Sequence, residues 1–317
     1  MPLSLRRFLS LPFMAWLCLS IGAQTSSAPR SAVVLPKGVI LVKGAAPAAS
    51  DSTTPLPEEG KVADGRYHNA YFGLAYPIPQ SWSEQAAGPP PSDGGSYVLT
   101  QFALHDGGHQ KVKAHVLVTA QDLFFSALPV ASATALVTSL RRSLAPEYEI
   151  EREPDEVKIA GRTFARLSYS SPLAGIHWRI LSTDVRCHAV TFTFTGTDTA
   201  TLDEAERAMS GISLSTVEGD APPCVTGYAS GENVVEKIDP HFAARRFNAI
   251  PARIIIDGNG RVKHVHLLSA FPDQSDTIIA ALRHWRFKPY LRDGKPAEVE
   301  TGLVFGIPRT IMRISAK

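Results

Sequence analysis

The stretch Ile254-Ile255-Ile256-Asp257-Gly258-Asn259-Gly260-Arg261-Val262 decides how the C-terminal part of the chain folds. An apolar, β-branched run that stops at Asp-Gly-Asn-Gly and resumes over Val262 to Ser269 is a strand, a turn and a return strand, because glycine supplies the positive φ of tight turns. Downstream, Ile278, Ile279, Leu282 and Trp285 recur at helical spacing, which predicts a helix from about Asp276 to Trp285. Phe287-Lys288-Pro289 ends it and Asp293-Gly294 makes another turn. From Ala297 to Ile307, the residues Val299, Thr301, Leu303, Phe305 and Ile307 share one face, and Pro308 stops the strand. The unit reads β-β-α-β over about residues 232–312.

Working outward, residues 217–231 hold Pro222 and Pro223 and read as a linker, and regular patterning before it covers residues 67–216. Strands are expected over Tyr97 to Leu104 and Lys111 to Thr119, joined by the turn His105-Asp106-Gly107-Gly108. Leu136, Val137, Leu140 and Leu144 lie on one face of a helix over Ala131 to Leu144, with Pro146 beyond it. Three more strands are expected, Thr163 to Tyr169, Ile176 to Thr183 and Cys187 to Thr195. A closing helix over Leu202 to Ser210 would be capped by Thr201 and Glu204. The acidic run Glu147, Glu149, Glu151, Glu153, Asp155 and Glu156 reads as a solvated loop. The fold class is therefore α+β: a mainly antiparallel sheet with packed helices, followed by the small β-β-α-β unit.

Residues 1–23 have the form of a secretory signal, with Arg6 and Arg7 before an apolar segment from Phe8 to Ile21 and a small-residue site ending at Ala23. The apolar run is shorter than the ~20 residues that span a bilayer and Pro12 interrupts it, so cleavage after Ala23 and no lasting membrane anchor are expected. Residues 24–66, rich in Ala, Ser, Thr and Pro, read as a flexible leader. A periplasmic or secreted protein follows. At 317 residues the chain is comfortable for two cores, and 44% hydrophobic with 20% charged residues excludes wholesale disorder. With Arg6 and Arg7 removed, the 32 basic side chains of the precursor fall to equality with its 30 acidic ones. A neutral chain without a basic stripe is a poor match for nucleic acid, which binds through clustered Lys and Arg.

The C-terminal pieces resemble the TonB C-terminal domain family over about Val235 to Ile307: Ile254 to Val262, then Trp285-Arg286-Phe287-Lys288-Pro289, then Asp293-Gly294-Lys295-Pro296 entering the last strand. That resemblance implies a periplasmic module whose last strand pairs with an extended peptide. The candidate pairing residues are Ala297, Glu298, Val299, Glu300, Thr301, Gly302, Leu303, Val304, Phe305 and Gly306, with Glu298, Glu300 and Val304 on the solvent face. Energy transduction by that family needs a retained anchor and a long Pro-rich rod, and neither is read here. The earlier residues Tyr71-Phe72-Gly73-Leu74-Ala75-Tyr76-Pro77, followed by Trp82 and a final helix leading into Gly211-Ile212-Ser213-Leu214, are similar to PsbP-like domains.

No nucleophile elbow, phosphate loop, zincin helix or paired C-x-x-C occurs, so no enzyme, cofactor or metal site is expected. His264 and His266 share a strand face but have no companions, and read as exposed. Cys187 and Cys224 remain after cleavage in an oxidising compartment, where they either pair or lie too far apart to bridge. The expected function is that of a non-enzymatic envelope protein with a protein or peptide partner. Two other classes stay open, an enzyme whose pocket in the first domain would be lined by His177, His188 or Asp184, and a structural envelope component.

Overall fold

The computed structural model describes residues 49–50, 60–84, 95–105, 112–125, 131–214, 222–242, 249–268 and 270–306. The signal segment, most of the leader, the 105–108 turn beyond His105, and Ile307 with Pro308 lie outside the described residues.

In chain order the strands and helices begin with β1 (Ala49–Ser50), β2 (Gly60–Ala63), β3 (Arg66–Asn69), β4 (Leu74–Pro77) and β5 (Trp82–Glu84). They continue with β6 (Ser96–His105), β7 (Val112–Asp122), α1 (Ala133–Ser143), β8 (Glu149–Ile159), β9 (Arg162–Ser171), β10 (Ile176–Val185), β11 (His188–Gly196) and α2 (Thr199–Ala208). These form a seven-stranded antiparallel sheet in the order β5-β6-β7-β11-β10-β9-β8, and β2-β3-β4 make a separate three-stranded meander. The architecture is α+β.

Alternation along the strands assigns the two faces. Ala165, Leu167, Tyr169 and Ile180 point to α1, whose Val137 and Leu140, with Leu144 just past its end, complete a satellite core. Phe164, Leu181, Val190, Phe192 and Phe194 point the other way, to Leu202, Ala205 and Met209 and to Tyr67, Leu74 and Tyr76 of the meander. The polar face expected for β11 is sheltered by α1: Thr191 is buried and its hydroxyl lies 2.8 Å from that of Ser182.

Two expectations are corrected. From Glu149 onward the acidic run is not a loop but β8, an edge strand whose outer charges face water and whose Glu153 and Asp155 pair with Arg141 and Arg166; only Glu147 lies in the turn before it. The start of α2 is set by Asp198, whose carboxylate accepts from the backbone N–H of Ala200 and Thr201, rather than by Thr201 and Glu204.

The C-terminal unit comprises β12 (Val234–Glu236), β13 (Ala249–Ile256), β14 (Val262–Leu267), α3 (Pro272–His284), β15 (Arg286–Phe287), β16 (Tyr290–Arg292), β17 (Lys295–Ala297) and β18 (Val299–Gly306). Its sheet has the order β1-β14-β13-β18, all antiparallel. Pro272 opens α3 four residues before Asp276, because its missing N–H costs nothing in a first helical turn. Gly260 holds φ +75° with its Cα so close to Phe287 that a Cβ would come within 1.9 Å of the carbonyl oxygen. The Ala297 to Gly306 strand is in two parts. Lys295–Ala297 pairs back on Tyr290–Arg292 around Asp293-Gly294, and only Val299–Gly306 joins β13.

Ile250, Ala252, Ile254, Ile256, Val299 and Phe305 face α3 and its Ile278, Leu282 and Trp285. The opposite face, holding Pro251, Arg253 and Ile255, lies against the first half of the chain, as the Arg253–Asp122 ion pair and a disulfide across it show. Among the described residues no helix is long and apolar enough to cross a membrane.

Candidate functional site

The loop between β10 and β11 is a two-residue turn of the type I′ kind, which needs positive φ at both central residues. Here they are Arg186 at φ +47° and Cys187 at φ +62°, not the usual glycine or asparagine. Two L-residues in that region carry strain of roughly 1–2 kcal/mol each, which neighbouring contacts must hold. Those contacts come from every side.

Arg253 of β13 is 3% exposed. Its Nη1 donates to the Tyr71 hydroxyl at 2.6 Å, to Glu300 Oε1 at 2.8 Å and to the Arg186 carbonyl at 3.2 Å. Its Nη2 donates to Asp122 Oδ2 at 2.5 Å and lies 3.2 Å from His188 Nε2. Arg186 donates to the Tyr71 carbonyl at 2.9 Å and stacks on the Tyr71 ring at 4.1 Å. Asp122 ends β7 beneath Gly95, where a Cβ would approach the Asp122 Cβ to 2.5 Å, so only glycine fits. Its other oxygen accepts from the Phe124 N–H at 2.7 Å.

Burial pushes the His188 imidazole well below its usual range, and the Arg253 charge adds to that, so His188 is neutral. Its Nδ1, 2.8 Å from the Arg186 carbonyl, must then donate, leaving Nε2 to accept from Arg253. Burial also opposes the Arg253 charge, but Asp122, Tyr71 and Glu300 hold the guanidinium well above its ordinary value. Burial raises the Glu300 carboxyl while Arg253 and Arg186 pull it back. A charge buried in this way is sustained only by partners of opposite sign and good geometry. Removing one member leaves another unsatisfied.

The same turn carries the covalent link: Cys187 is bonded to Cys224, with Cα atoms 5.4 Å apart. Cys224 lies between two residues that pair with β18. The Glu300 N–H donates to the Pro223 carbonyl at 2.9 Å, and the Val225 N–H donates to the Glu300 carbonyl at 3.0 Å. The 222–225 segment thus runs parallel to β18 over Glu300.

This places the expected pairing residues. Glu300 is not on a solvent face: it is 2% exposed and bonded to Arg253, because the face turned away from α3 is covered by the first half of the chain. For the same reason His266 is not exposed. Its ring nitrogens are buried without a hydrogen bond, and burial lowers it to about 3. Glu298 pairs with Lys263 at the surface, and Ala297 belongs to β17. Gly302 packs under Phe124 and Phe125, where a Cβ would come within 2.7 Å of the Phe124 side chain. Val304 is 51% exposed. Val299, Thr301, Leu303 and Phe305 face α3.

The backbone of β18 alternates in kind. Since Glu300 turns its N–H and C=O outward, Gly302, Val304 and Gly306 do too. This agrees with the pairing of Val304 to Pro251, which has no N–H to give. Among the described residues, no backbone hydrogen bond reaches the outward groups of Gly302 and Val304.

Asp184, His177 and His188 each have another partner. Asp184 caps α1 through the Ala133 N–H, His177 lies 2.6 Å from Glu151, and His188 is in the arginine network. A cleft of about 700 Å³ between the sheet and α2 is lined by Arg166, Arg179, Asp203 and Glu206, which pair with one another or with Asp155. Among the described residues no group of three or more His, Cys, Asp or Glu is placed to hold a metal ion. Arg253, Asp122 and Arg186 are not among the site residues expected from the sequence. The available signal was a lone arginine inside an apolar strand and a glutamate inside the strand it pairs with.

No protein-family model matches the chain, and no curated protein does. The TonB-like reading therefore rests on its own residues. Two solved structures are similar. One is cyanobacterial PsbP (CyanoP) from Synechocystis sp. PCC 6803, at 13% identity and a TM-score of 0.34 over 47% of this chain and 91% of that one. The other is LpqN, involved in cell envelope biogenesis of Mycobacterium tuberculosis, at 10% identity and a TM-score of 0.32 over 53% of this chain and 91% of that one. At these values neither assigns a function.

Proposed function

We propose that the mature chain is a non-enzymatic protein of the cell envelope that recognises an extended peptide by pairing it with the free half of β18, Gly302 to Gly306. The observation that carries this is the divided edge. Glu300 has its outward groups taken by the 222–225 segment, whereas those of Gly302 and Val304 meet no backbone partner among the described residues. Such an edge is a template for another strand. Main-chain hydrogen bonds supply affinity that is blind to sequence, and the exposed Val304 supplies an apolar contact. The signal-like residues 1–23 support the location.

The test is a pull-down from envelope extract with the mature chain and with Val304→Pro. Capture by the wild type and loss by the variant is expected. Equal capture by both excludes pairing through β18.

A further inference from the structure

The two halves of the β18 edge differ in what covers them, and the cover is tied to a cysteine. We infer that the Cys187–Cys224 bond holds the 222–225 segment as an internal plug on β18, so that reduction opens the Glu300 position and lengthens the edge available to a peptide. The use of that edge rests on the function proposed above; the plug itself does not.

Among the described residues, little else holds the segment. Two backbone hydrogen bonds, from Glu300 to Pro223 and from Val225 to Glu300, fix its register. Pro222 and Pro223 are half-buried, Cys224 and Thr226 are exposed, and Val225 only borders the second core. Independent anchorage begins at Tyr228, which is buried and donates its hydroxyl to the Lys288 carbonyl at 2.7 Å. Between 222 and 226 the covalent bond is therefore the strongest attachment among the described residues. A pair of hydrogen bonds on a sheet edge opens readily once nothing else restrains the strand.

The bond is arranged for attack from one side. Cys224 is exposed and Cys187 is 3% exposed. A dithiol reductant attacks the Cys224 sulfur as a thiolate, the S–S bond breaks, and Cys187 leaves as a thiolate. The second thiol of the reductant, as its thiolate, then attacks the mixed disulfide and expels Cys224. The reductant ends as a disulfide, and the protein gains two electrons and two protons as two thiols. Cys187 sits in the left-handed turn already described, whose Arg186 carbonyl stays gripped by Arg253 and His188. The turn keeps its place while the segment comes away, so one end of the link is fixed and the other is free to leave.

Hydrogen exchange on the full mature chain tests this without any partner. Amides of Val225 and Glu300 are followed in the oxidised protein, after dithiothreitol, and in the double variant Cys187→Ala/Cys224→Ala. Exchange at both amides is expected to rise by about tenfold or more on reduction and in the variant, while Leu181 and Phe192 in the central strands keep their protection. Unchanged protection at Val225 and Glu300 overturns the inference. A rise throughout the chain overturns it too, because the bond would then be a general staple rather than a local latch. Loss of the plug together with no captured peptide leaves the latch standing and removes the proposed function.

Discussion

The two sheets end in edges that are protected in different ways. At β8 the seven-stranded sheet stops in eleven residues that carry Glu149, Glu151, Arg152, Glu153, Asp155, Glu156 and Lys158, with Pro154 among them and register shifts on both sides of Arg152. Charge, a residue with no N–H, and irregular pairing each deter another strand. At β18 the residues from Gly302 to Phe305 carry no charge, and the position before them is covered by a segment of the same chain. One edge is closed by residue chemistry and stays closed. The other is covered at Glu300 by a segment that lies beside the Cys187–Cys224 bond and over the Arg253 network, which is why the proposed recognition is assigned to β18 and not to β8.

The most severe way to break that comparison is Arg253→Met. Asp122 and Glu300 are 0% and 2% exposed and would lose their common partner. Removing one member of a buried ion pair costs about 3–5 kcal/mol. Urea unfolding should show that loss, and Arg253→Lys should recover only part of it, since one ammonium cannot reach Asp122, Glu300 and the Tyr71 hydroxyl together. An unchanged midpoint in Arg253→Met would mean that the network does not hold the sheet beneath β18.

Acid should act on the same junction. The unfolded chain takes up histidine protons near pH 6.5, whereas burial lowers His266 to about 3 and His188 well below its usual range. The unfolded state then binds more protons below about 6.5, and stability falls as pH drops through that window, by up to ~1.4 kcal/mol per unit for each histidine. Burial lowers His115 in the same sense. Glu300 works the other way, because burial raises its folded value and the folded state takes its proton first. The urea midpoint should decline from pH 7 to 5, and His266→Gln should flatten the decline; a midpoint level across that range would dismiss the histidines.

Much of the fold was legible because pattern and burial agree. Val190, Phe192 and Phe194 alternate and are all fully buried, and α1 over Ala133–Ser143 falls within the expected stretch of 131–144. β8 was hidden because an edge strand is selected for charge, and charge is also the signature of a loop. Glu300 was read as a solvent residue because it alternates with Val299 and Thr301. Only the docking of the second sheet face, a contact between residues far apart in sequence, turns that polar face inward. The Asp122, Arg186, His188 and Arg253 constellation draws one residue from each of several turns and strands, and no local spacing encodes it.

A smaller effect sharpens the comparison at Gly302. A Cβ there would meet Phe124 at 2.7 Å and Phe125 at 2.8 Å. Gly302→Val should cost about 1–3 kcal/mol by overpacking and push β18 off the first half of the chain. Thermal unfolding reads it. A fully tolerated valine would mean that the aromatic pair gives way freely.

The smallest effect on stability is the one that bears most on function. Val304 pairs with Pro251 at a position where neither gives a ladder hydrogen bond to the other, so its N–H points away from β13. Proline is tolerated on an edge strand when its missing N–H faces solvent, and Val304→Pro should cost about 1 kcal/mol or less. Leu303 is the opposite case: it pairs with Ala252 inside the ladder, and Leu303→Pro removes a bond the sheet uses. The two variants therefore separate folding from recognition. Val304→Pro is expected to shift its unfolding midpoint only slightly and lose the captured peptide, while Leu303→Pro loses both. If Val304→Pro keeps its midpoint and its partners, β18 is closed as firmly as β8, and the difference between the two edges carries no recognition.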